Sequence, residues 1–230
     1  MKNNYWAKFE DKQFYHVYNR GINRCNLFYT PQNYQYFLKK WTHYFHPFLK
    51  VYAFCLMPNH FHFLVSPNLE SIRSFDPSKF VGRYILIKRV NDVINGVFSF
   101  NEFLEFQMKD FYGAYSKAIN KQEKRTGSLF QQRFKRVLIK NEYYLTEKIC
   151  YIHHNPIHHG FCKNYEDWFF SSYNIILAEG ATNISREEVL ELFNLSYKTN
   201  FSKEEDKKKS YIRFHKEFKH LPSNDVEDEL

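Results

Sequence analysis

The segment VYAFCLMPNHFHFLV (51–65) is the part of the sequence that most constrains how this chain can fold. Two short apolar runs, 51–56 and 60–65, are separated by the turn residues Pro58 and Asn59. Short apolar runs on either side of such residues are typical of a β-hairpin. In the second run His60 and His62 alternate with phenylalanines, so both imidazoles are expected on the same face of the strand.

The rest of the chain alternates between strand and helix patterns. The predicted elements are a strand at 14–20, a helix from Thr30-Pro31 to about 46, a helix at 108–122, a strand at 133–139 and a helix that begins after Asn141 and ends at Pro156. The segment 84–94 fits a helix or a strand equally well. This order predicts an α+β fold, a ferredoxin-like sandwich with a mostly antiparallel sheet and helices packed on one face.

Composition narrows the class of partner. The chain has 33 Lys and Arg against 25 Asp and Glu, a formal net charge of +8, and 20% of its residues are aromatic. A basic excess favours nucleic acid or an anionic membrane surface, and abundant aromatic rings favour nucleic acid because bases stack on them. The four cysteines form no C-x-x-C pair, so neither a zinc ribbon nor a disulfide framework is indicated. Without a membrane-length apolar run or a signal-peptide pattern, a cytoplasmic location is expected.

The two histidines of the hairpin are candidate metal ligands. Two imidazoles on neighbouring same-face positions of a strand can share one cation, but catalysis would also need a third protein ligand and an open position. A His-x-His pair on its own is more often two half-buried, hydrogen-bonded histidines. Taken alone, the pattern leaves both interpretations open.

A second candidate group lies on the helix predicted after Asn141. Tyr144, Lys148, Tyr151 and Asn155 follow one helical stripe and offer phenols, an ammonium and an amide oxygen. Half-buried tyrosines, a solvated lysine and an ordinary helix stop would explain the same residues. The histidines 153, 154, 158 and 159 flank a proline and cannot all converge on one ion, so they are interpreted as surface or phosphate-side residues.

Five motifs in a fixed order connect these regions: FYHVYNRG, CLMPNHFHFLV, RTGSLFQQRFK, YIHHNPIHHGF and WFFSSY. As a set they resemble the REP-associated tyrosine transposases, relatives of the single-strand insertion-sequence transposases, over about 12–175. The departures are the stretch 70–103, which resembles an insertion, Phe170 where a Trp is usual, and a charged tail. We therefore expect a catalytic domain at 1–197 and a charged extension at 198–230 that holds at most one short helix, at 211–219.

The resemblance implies an HUH endonuclease, in which His60 and His62 bind a divalent metal and Tyr151 is the nucleophile. It also implies Asn155, one turn after the tyrosine, as third metal ligand. Two imidazoles and one amide oxygen suit Mg²⁺ or Mn²⁺. The phenol would form a 5′-phosphotyrosine link, and Lys148 is a hypothesised activator because an unperturbed phenol, with a pKa of about 10, is a poor nucleophile.

The predicted partner is single-stranded or hairpin DNA. The predicted DNA contacts flank the first strand and the G-S-L-F motif, namely Asn19, Arg20, Arg24, Lys124, Arg125, Arg133, Lys135 and Arg136. The leading hypothesis is a nucleoid-associated transposase, monomeric or homodimeric, that cleaves and rejoins single strands near hairpin-forming repeats. The alternatives are an inactive hairpin-binding protein of the same fold and a hydrolase of a small phosphoester, which the missing carboxylate cluster disfavours.

Overall fold

The computed structural model describes residues 4–132, 134–141, 143–196 and 203–218. Its strands are β1 (Phe14–Arg20), β2 (Leu49–Met57), β3 (His60–Pro67) and β4 (Lys135–Ile139). Its helices are α1 (Pro31–Phe45), α2 (Glu70–Arg73), α3 (Tyr84–Ile94), α4 (Phe100–Gln122), α5 (Tyr143–His158), α6 (Tyr173–Leu177), α7 (Arg186–Ser196) and α8 (Glu204–Glu217).

The four strands form one antiparallel sheet in the order β2-β3-β1-β4. The chain runs β1-α1-β2-β3-α4-β4 through this sheet, with short inserted helices before α4. A βαββαβ order with these sheet neighbours is the ferredoxin-like arrangement. The predicted α+β class and antiparallel sheet are therefore confirmed.

One face of the sheet packs against α1 and α4. Phe63 stacks on Trp41 of α1 with ring centroids 3.8 Å apart, and Phe61 contacts Phe37 at 5.1 Å. Phe111 of α4 lies against the same Phe37 ring. All five rings are at most 4% exposed. The apolar residues that alternate along β3 and those at helical spacing on α1 thus pack in one core, as the sequence pattern indicated.

The other face of the sheet is also covered, which goes beyond the expected arrangement of helices on one face. Leu145 and Ile149 of α5 pack in a second core with Leu64 of β3 and residues of α7 and α8. The reason is visible in β3, where all eight residues are buried. A strand buried on both sides needs cover on both sides.

Three element boundaries differ from the predictions. The segment 84–94, which fitted a helix or a strand, is a helix, α3. Helix α4 begins at Phe100 and not at residue 108, because Ser99 and Glu102 form a capping box. Residue 133, predicted to begin the last strand, lies outside the described residues. The third difference concerns the end of α5.

Helix α5 continues past Pro156 to His158, so the prediction that the proline ends the helix is wrong. A proline removes one backbone donor. The bonds nevertheless resume at once, since the His159 N–H donates to the Asn155 carbonyl at 3.0 Å and the Phe161 N–H to the Pro156 carbonyl at 2.8 Å. Asn155 therefore lies inside the last turns of α5 and not at its terminus.

The charged tail contributes a longer helix than expected. Helix α8 packs along α7, and its Tyr211 and His215 are at most 1% exposed. The part of 198–230 that the structure describes thus joins the second core. No helix among the described residues has the length and apolar character needed to cross a bilayer.

Both outer strands of the sheet are hydrogen-bonded to irregular segments. On β2, the Leu56 N–H donates to the Phe170 carbonyl, and the Ser172 N–H donates to the Phe54 carbonyl, both at 2.9 Å. Farther along β2, the Ser185 N–H donates to Val51. On β4, the Arg136 N–H donates to the carbonyl of Tyr5 near the N-terminus.

Candidate catalytic and metal-binding site

His60 and His62 lie side by side on the face of β3 that α5 covers. Their ring centroids are 5.1 Å apart, and the side chains are 6% and 2% exposed. In the register of β1 and β3, Arg20 lies opposite His60 and Tyr18 opposite His62. The strand pleat therefore places two imidazoles, a phenol and a guanidinium on one surface.

Each of the two imidazoles has its Nδ1 in a hydrogen bond. His60 Nδ1 lies 2.7 Å from Asn59 Oδ1, and His62 Nδ1 lies 2.9 Å from His16 Nε2. Because an amide oxygen only accepts, His60 carries its proton on Nδ1. In the neutral ring the Nε2 of His60 is then a free lone pair, the form that binds a metal.

Burial keeps both candidate ligands neutral. It lowers the pKa of His60 to about 3, with smaller contributions from His159 and Arg20. It also lowers the pKa of His62 well below its ordinary value, with the neighbouring His16 next in effect. Desolvation disfavours the charged imidazolium. At neutral pH neither ring has to lose a proton before it can bind a cation.

Tyr151 of α5 faces these histidines in the same chain. Its ring centroid lies 5.9 Å from that of His62, at an interplanar angle of 83°, and 6.0 Å from that of His16. The Nζ of Lys148 lies 4.5 Å from the centroid of the Tyr151 ring. The tyrosine and the histidine pair, some ninety residues apart in sequence, therefore come together within one chain.

Asn155 lies one turn after Tyr151 and is 5% exposed. Its Nδ2 donates to the Tyr151 carbonyl at 2.8 Å, which fixes the amide plane and turns Oδ1 away from that carbonyl. Among the described residues, no three His, Cys, Asp or Glu side chains form a metal-binding group. Among these residues a third protein ligand would be of another chemical type, and an amide oxygen fits the preference of Mg²⁺ or Mn²⁺ for oxygen donors.

Sequence reasoning missed His16, which contacts both His62 and Tyr151. The alternation in FYHVYNR already places residues 16, 18 and 20 on one face of β1, which is the signal that could have identified it. The predicted surface position of His153 is wrong, since this side chain is 1% exposed. It hydrogen-bonds His215 of α8 at 2.9 Å and Ser172 at 2.7 Å, so its role is structural.

Five of the predicted DNA contacts remain accessible. Arg20 is half-buried beside His60, Arg24 is exposed in the following turn, and the Nζ of Lys135 lies 5.6 Å from the Tyr18 ring centroid. Arg125 is half-buried and donates to the Ser128 carbonyl at 3.0 Å. Lys124 beside it is exposed.

Two other predicted contacts lie inside the protein. Asn19 is 6% exposed and its Nδ2 donates to the Gln131 carbonyl. Arg136 is 6% exposed, pairs with Glu105 and donates to the Ala7 carbonyl. Both stabilise the fold and lie outside the proposed contact surface. Arg133 lies outside the described residues.

Comparison with known proteins supports the resemblance drawn from the motifs. The chain is 34% identical over 55 residues to a protein of Haemophilus influenzae named as a REP-associated tyrosine transposase. That match covers 24% of this chain and 31% of the relative, so the chain matches about a third of that relative's length. No family model matches the chain.

A solved structure shares the fold. It is that of a REP-associated tyrosine transposase bound to a REP hairpin, and it superposes with a TM-score of 0.51 at 18% sequence identity. The similarity covers 88% of this chain and 96% of the solved chain. Together the two relatives confirm that the chain resembles this group of proteins, and the second confirms the fold.

Proposed function

We propose that this chain is a metal-dependent single-strand DNA endonuclease and strand transferase that acts at or near hairpin-forming repeats through a 5′-phosphotyrosine intermediate. The observation that supports this most is the position of Tyr151, whose ring lies 5.9 Å from that of His62 in the same chain. A phenol beside a pair of neutral, buried imidazoles has the parts needed for nucleophilic attack at a phosphodiester.

His60, His62 and Asn155 would hold Mg²⁺ or Mn²⁺, which when bound supplies Lewis-acid polarisation and charge neutralisation at the scissile phosphate. The Tyr151 oxygen attacks phosphorus in line and gives its proton to solvent. The bond from phosphorus to the 3′ oxygen breaks, and that oxygen takes up a proton from solvent and leaves as a free 3′-OH. A 3′-OH can later attack the phosphotyrosine and rejoin DNA without ATP, because the covalent link conserves the bond energy.

The DNA would be held by cations and rings around this site. Arg20 and Lys135 on the face that carries the histidines, and Arg24 in the turn after β1, would supply salt-dependent phosphate contacts. Phe161 and Phe169, 51% and 81% exposed, follow the end of α5 and offer stacking surfaces for unpaired bases. The related structure contains a REP hairpin, which supports a hairpin as partner. The protein would encounter such DNA in the cytoplasm, at the nucleoid.

A covalent adduct tests the proposal directly. Hairpin oligonucleotides with randomised single-stranded flanks, labelled at the 3′ end, are incubated with protein and Mn²⁺ and run on a denaturing gel. A 5′-phosphotyrosine link retains the 3′ fragment, so a labelled adduct should appear with the wild type. Tyr151→Phe and chelator should each abolish the adduct, and His60→Ala should abolish it while retaining DNA binding.

Tyr144→Phe is the matched control, because Tyr144 lies on the same helix and is 54% exposed. It should leave the adduct intact. An adduct that persists in Tyr151→Phe would contradict the assigned nucleophile. DNA that is retarded on a native gel by a wild type that forms no adduct would favour the inactive hairpin-binding protein.

A further inference from the structure

His16 is a buried imidazole to which the proposed mechanism gives no role. It lies on β1, is 1% exposed, and stacks on His62 with ring centroids 5.1 Å apart and an interplanar angle of 18°. Its Nε2 lies 2.9 Å from Nδ1 of His62. The contact joins it directly to a candidate metal ligand.

The direction of this hydrogen bond decides whether His62 can bind a metal. Both rings are at most 2% exposed and the two nitrogens are 2.9 Å apart, so a single proton lies between them. If His62 Nδ1–H donates, its Nε2 is a lone pair that can bind a cation. If instead His16 Nε2–H donates, His62 carries its proton on Nε2 and cannot bind there.

We propose that His16 is a positioning residue that accepts the Nδ1–H of His62 and so holds the metal-binding tautomer of that ring. The proposal rests on the proposed metal site. Both candidate ligands would then donate their Nδ1–H to an acceptor, since His60 Nδ1 donates to Asn59 Oδ1 at 2.7 Å. Metal-ligating histidines are commonly oriented by an acceptor at their second nitrogen, and loss of such a partner typically costs about 10- to 100-fold in metal affinity.

A purely structural role for His16 makes a different prediction. Tyr18 stacks on both His16 and His62, with ring centroids 4.7 Å and 5.8 Å away, so His16 also fills space in a cluster of three rings. If filling space were its only role, an apolar side chain of similar size would leave the protonation of His62 and the binding of metal unchanged.

Two variants separate these roles. His16→Gln retains an acceptor, because the glutamine Oε1 can occupy the position of the imidazole Nε2, whereas His16→Leu removes it at similar volume. His43→Leu is the control, since His43 is an exposed histidine on α1. The tautomer of His62 is measured in the metal-free protein by ¹⁵N NMR, and the affinity for Mn²⁺ alone is measured by electron paramagnetic resonance.

We expect His62 of the wild type to be protonated on Nδ1 and unprotonated on Nε2. His16→Gln and His43→Leu should show the same His62 tautomer and the same Mn²⁺ affinity as the wild type. His16→Leu should mix the two tautomers and weaken Mn²⁺ binding by about 10- to 100-fold. A wild-type His62 protonated on Nε2 would overturn the proposal, as would a folded His16→Leu with unchanged tautomer and Mn²⁺ affinity. Should His16→Leu not fold, the His62 tautomer measured in the wild type and in His16→Gln still tests the proposal. A wild type with the expected tautomer but no Mn²⁺ binding would instead refute the metal site.

Discussion

At the scale of single residues, Lys148 contacts the ring of Tyr151, the proposed nucleophile. Its ammonium lies over the face of the Tyr151 ring, 4.5 Å from the centroid. A cation in this position is attracted to the ring and favours negative charge on it. It can therefore both hold the ring in place and favour the phenolate.

We expect Lys148→Met to slow cleavage at pH 7 by about tenfold, which corresponds to a loss of about 1.4 kcal/mol in transition-state stabilisation. The pH–rate profile of adduct formation should move to higher pH, because the phenolate loses a neighbouring cation. Lys148→Arg retains the charge and should retain most of the rate. An unchanged profile in Lys148→Met would refute the activation hypothesis.

The motifs indicated which elements carry the candidate site better than they indicated which residues around it are buried. The resemblance assigned roles to His60 and Tyr151, and these roles stay predictions, but the structure does bring their strand and helix together. His16 was missed because the cross-strand register of β1 and β3 is not written in either segment alone. Arg136 looked like a DNA contact for a similar reason, since nothing in its own segment indicates that Glu105 of α4 pairs with it.

At the scale of elements, strand β3 serves two functions at once. One face carries the histidine pair, and the other carries Phe61 and Phe63 in the main core. The stacking of Phe63 on Trp41 anchors the strand to α1. The position of the imidazoles therefore depends on packing on the opposite side of the sheet.

Phe63→Ala should lower the free energy of unfolding by about 3–5 kcal/mol, because it removes a fully buried ring. Where the variant is folded, we also expect weaker Mn²⁺ binding, since the strand beneath the histidines can shift. Phe63→Leu, measured alongside by urea denaturation, should cost less. Equal Mn²⁺ affinity in a folded Phe63→Ala would show that β3 is held by other contacts.

The end of α5 shows where local sequence rules were overridden. The pair Asn155-Pro156 predicts a helix stop, yet Ile152 and Asn155 are buried and the turn continues. Tertiary packing outweighs one lost backbone hydrogen bond. Helix α4 shows the converse, since its start at Phe100 is set by the capping box of Ser99 and Glu102, which the apolar periodicity alone did not reveal.

At the scale of the whole molecule, a chain of neutral polar groups connects α8 to the sheet. The His215 Nδ1–H donates to the Tyr211 carbonyl at 2.8 Å, which leaves its Nε2 to accept from His153 Nδ1–H. His153 Nε2 then accepts from the hydroxyl of Ser172. Burial lowers the pKa of His215 to about 3 and that of His153 well below its ordinary value.

The buried histidines of this hydrogen-bonded series, His215 and His153, make the stability of the fold depend on pH in a defined direction. The unfolded histidines take up protons below about pH 6.5, whereas the folded ones do not until about pH 3 for His215. The unfolded state then binds more protons, so the free energy of unfolding falls as pH falls from about 6.5 towards 3, by up to about 1.4 kcal/mol per pH unit for each such histidine.

We expect His215→Phe to make the free energy of unfolding less dependent on pH between pH 6.5 and 4.5. The slope should fall by the contribution of about one proton, about 1.4 kcal/mol per pH unit, in urea denaturation curves measured at several pH values. Above pH 7 the wild type and the variant should show the same slope, which serves as the internal control. If the slope below pH 6.5 is the same in both proteins, then His215 is protonated in the folded state.

The hydrogen bonds along the outer strands limit how copies of this chain can associate. An exposed strand edge offers unpaired backbone groups to a second molecule and is a common route to aggregation. Here β2 already donates or accepts at Val51, Phe54 and Leu56, and β4 is bonded at Arg136. A continuous sheet through two copies would first have to displace these segments. The segments bonded to β2 and β4 therefore protect the edges of the sheet against edge-to-edge association, even when many copies are close together.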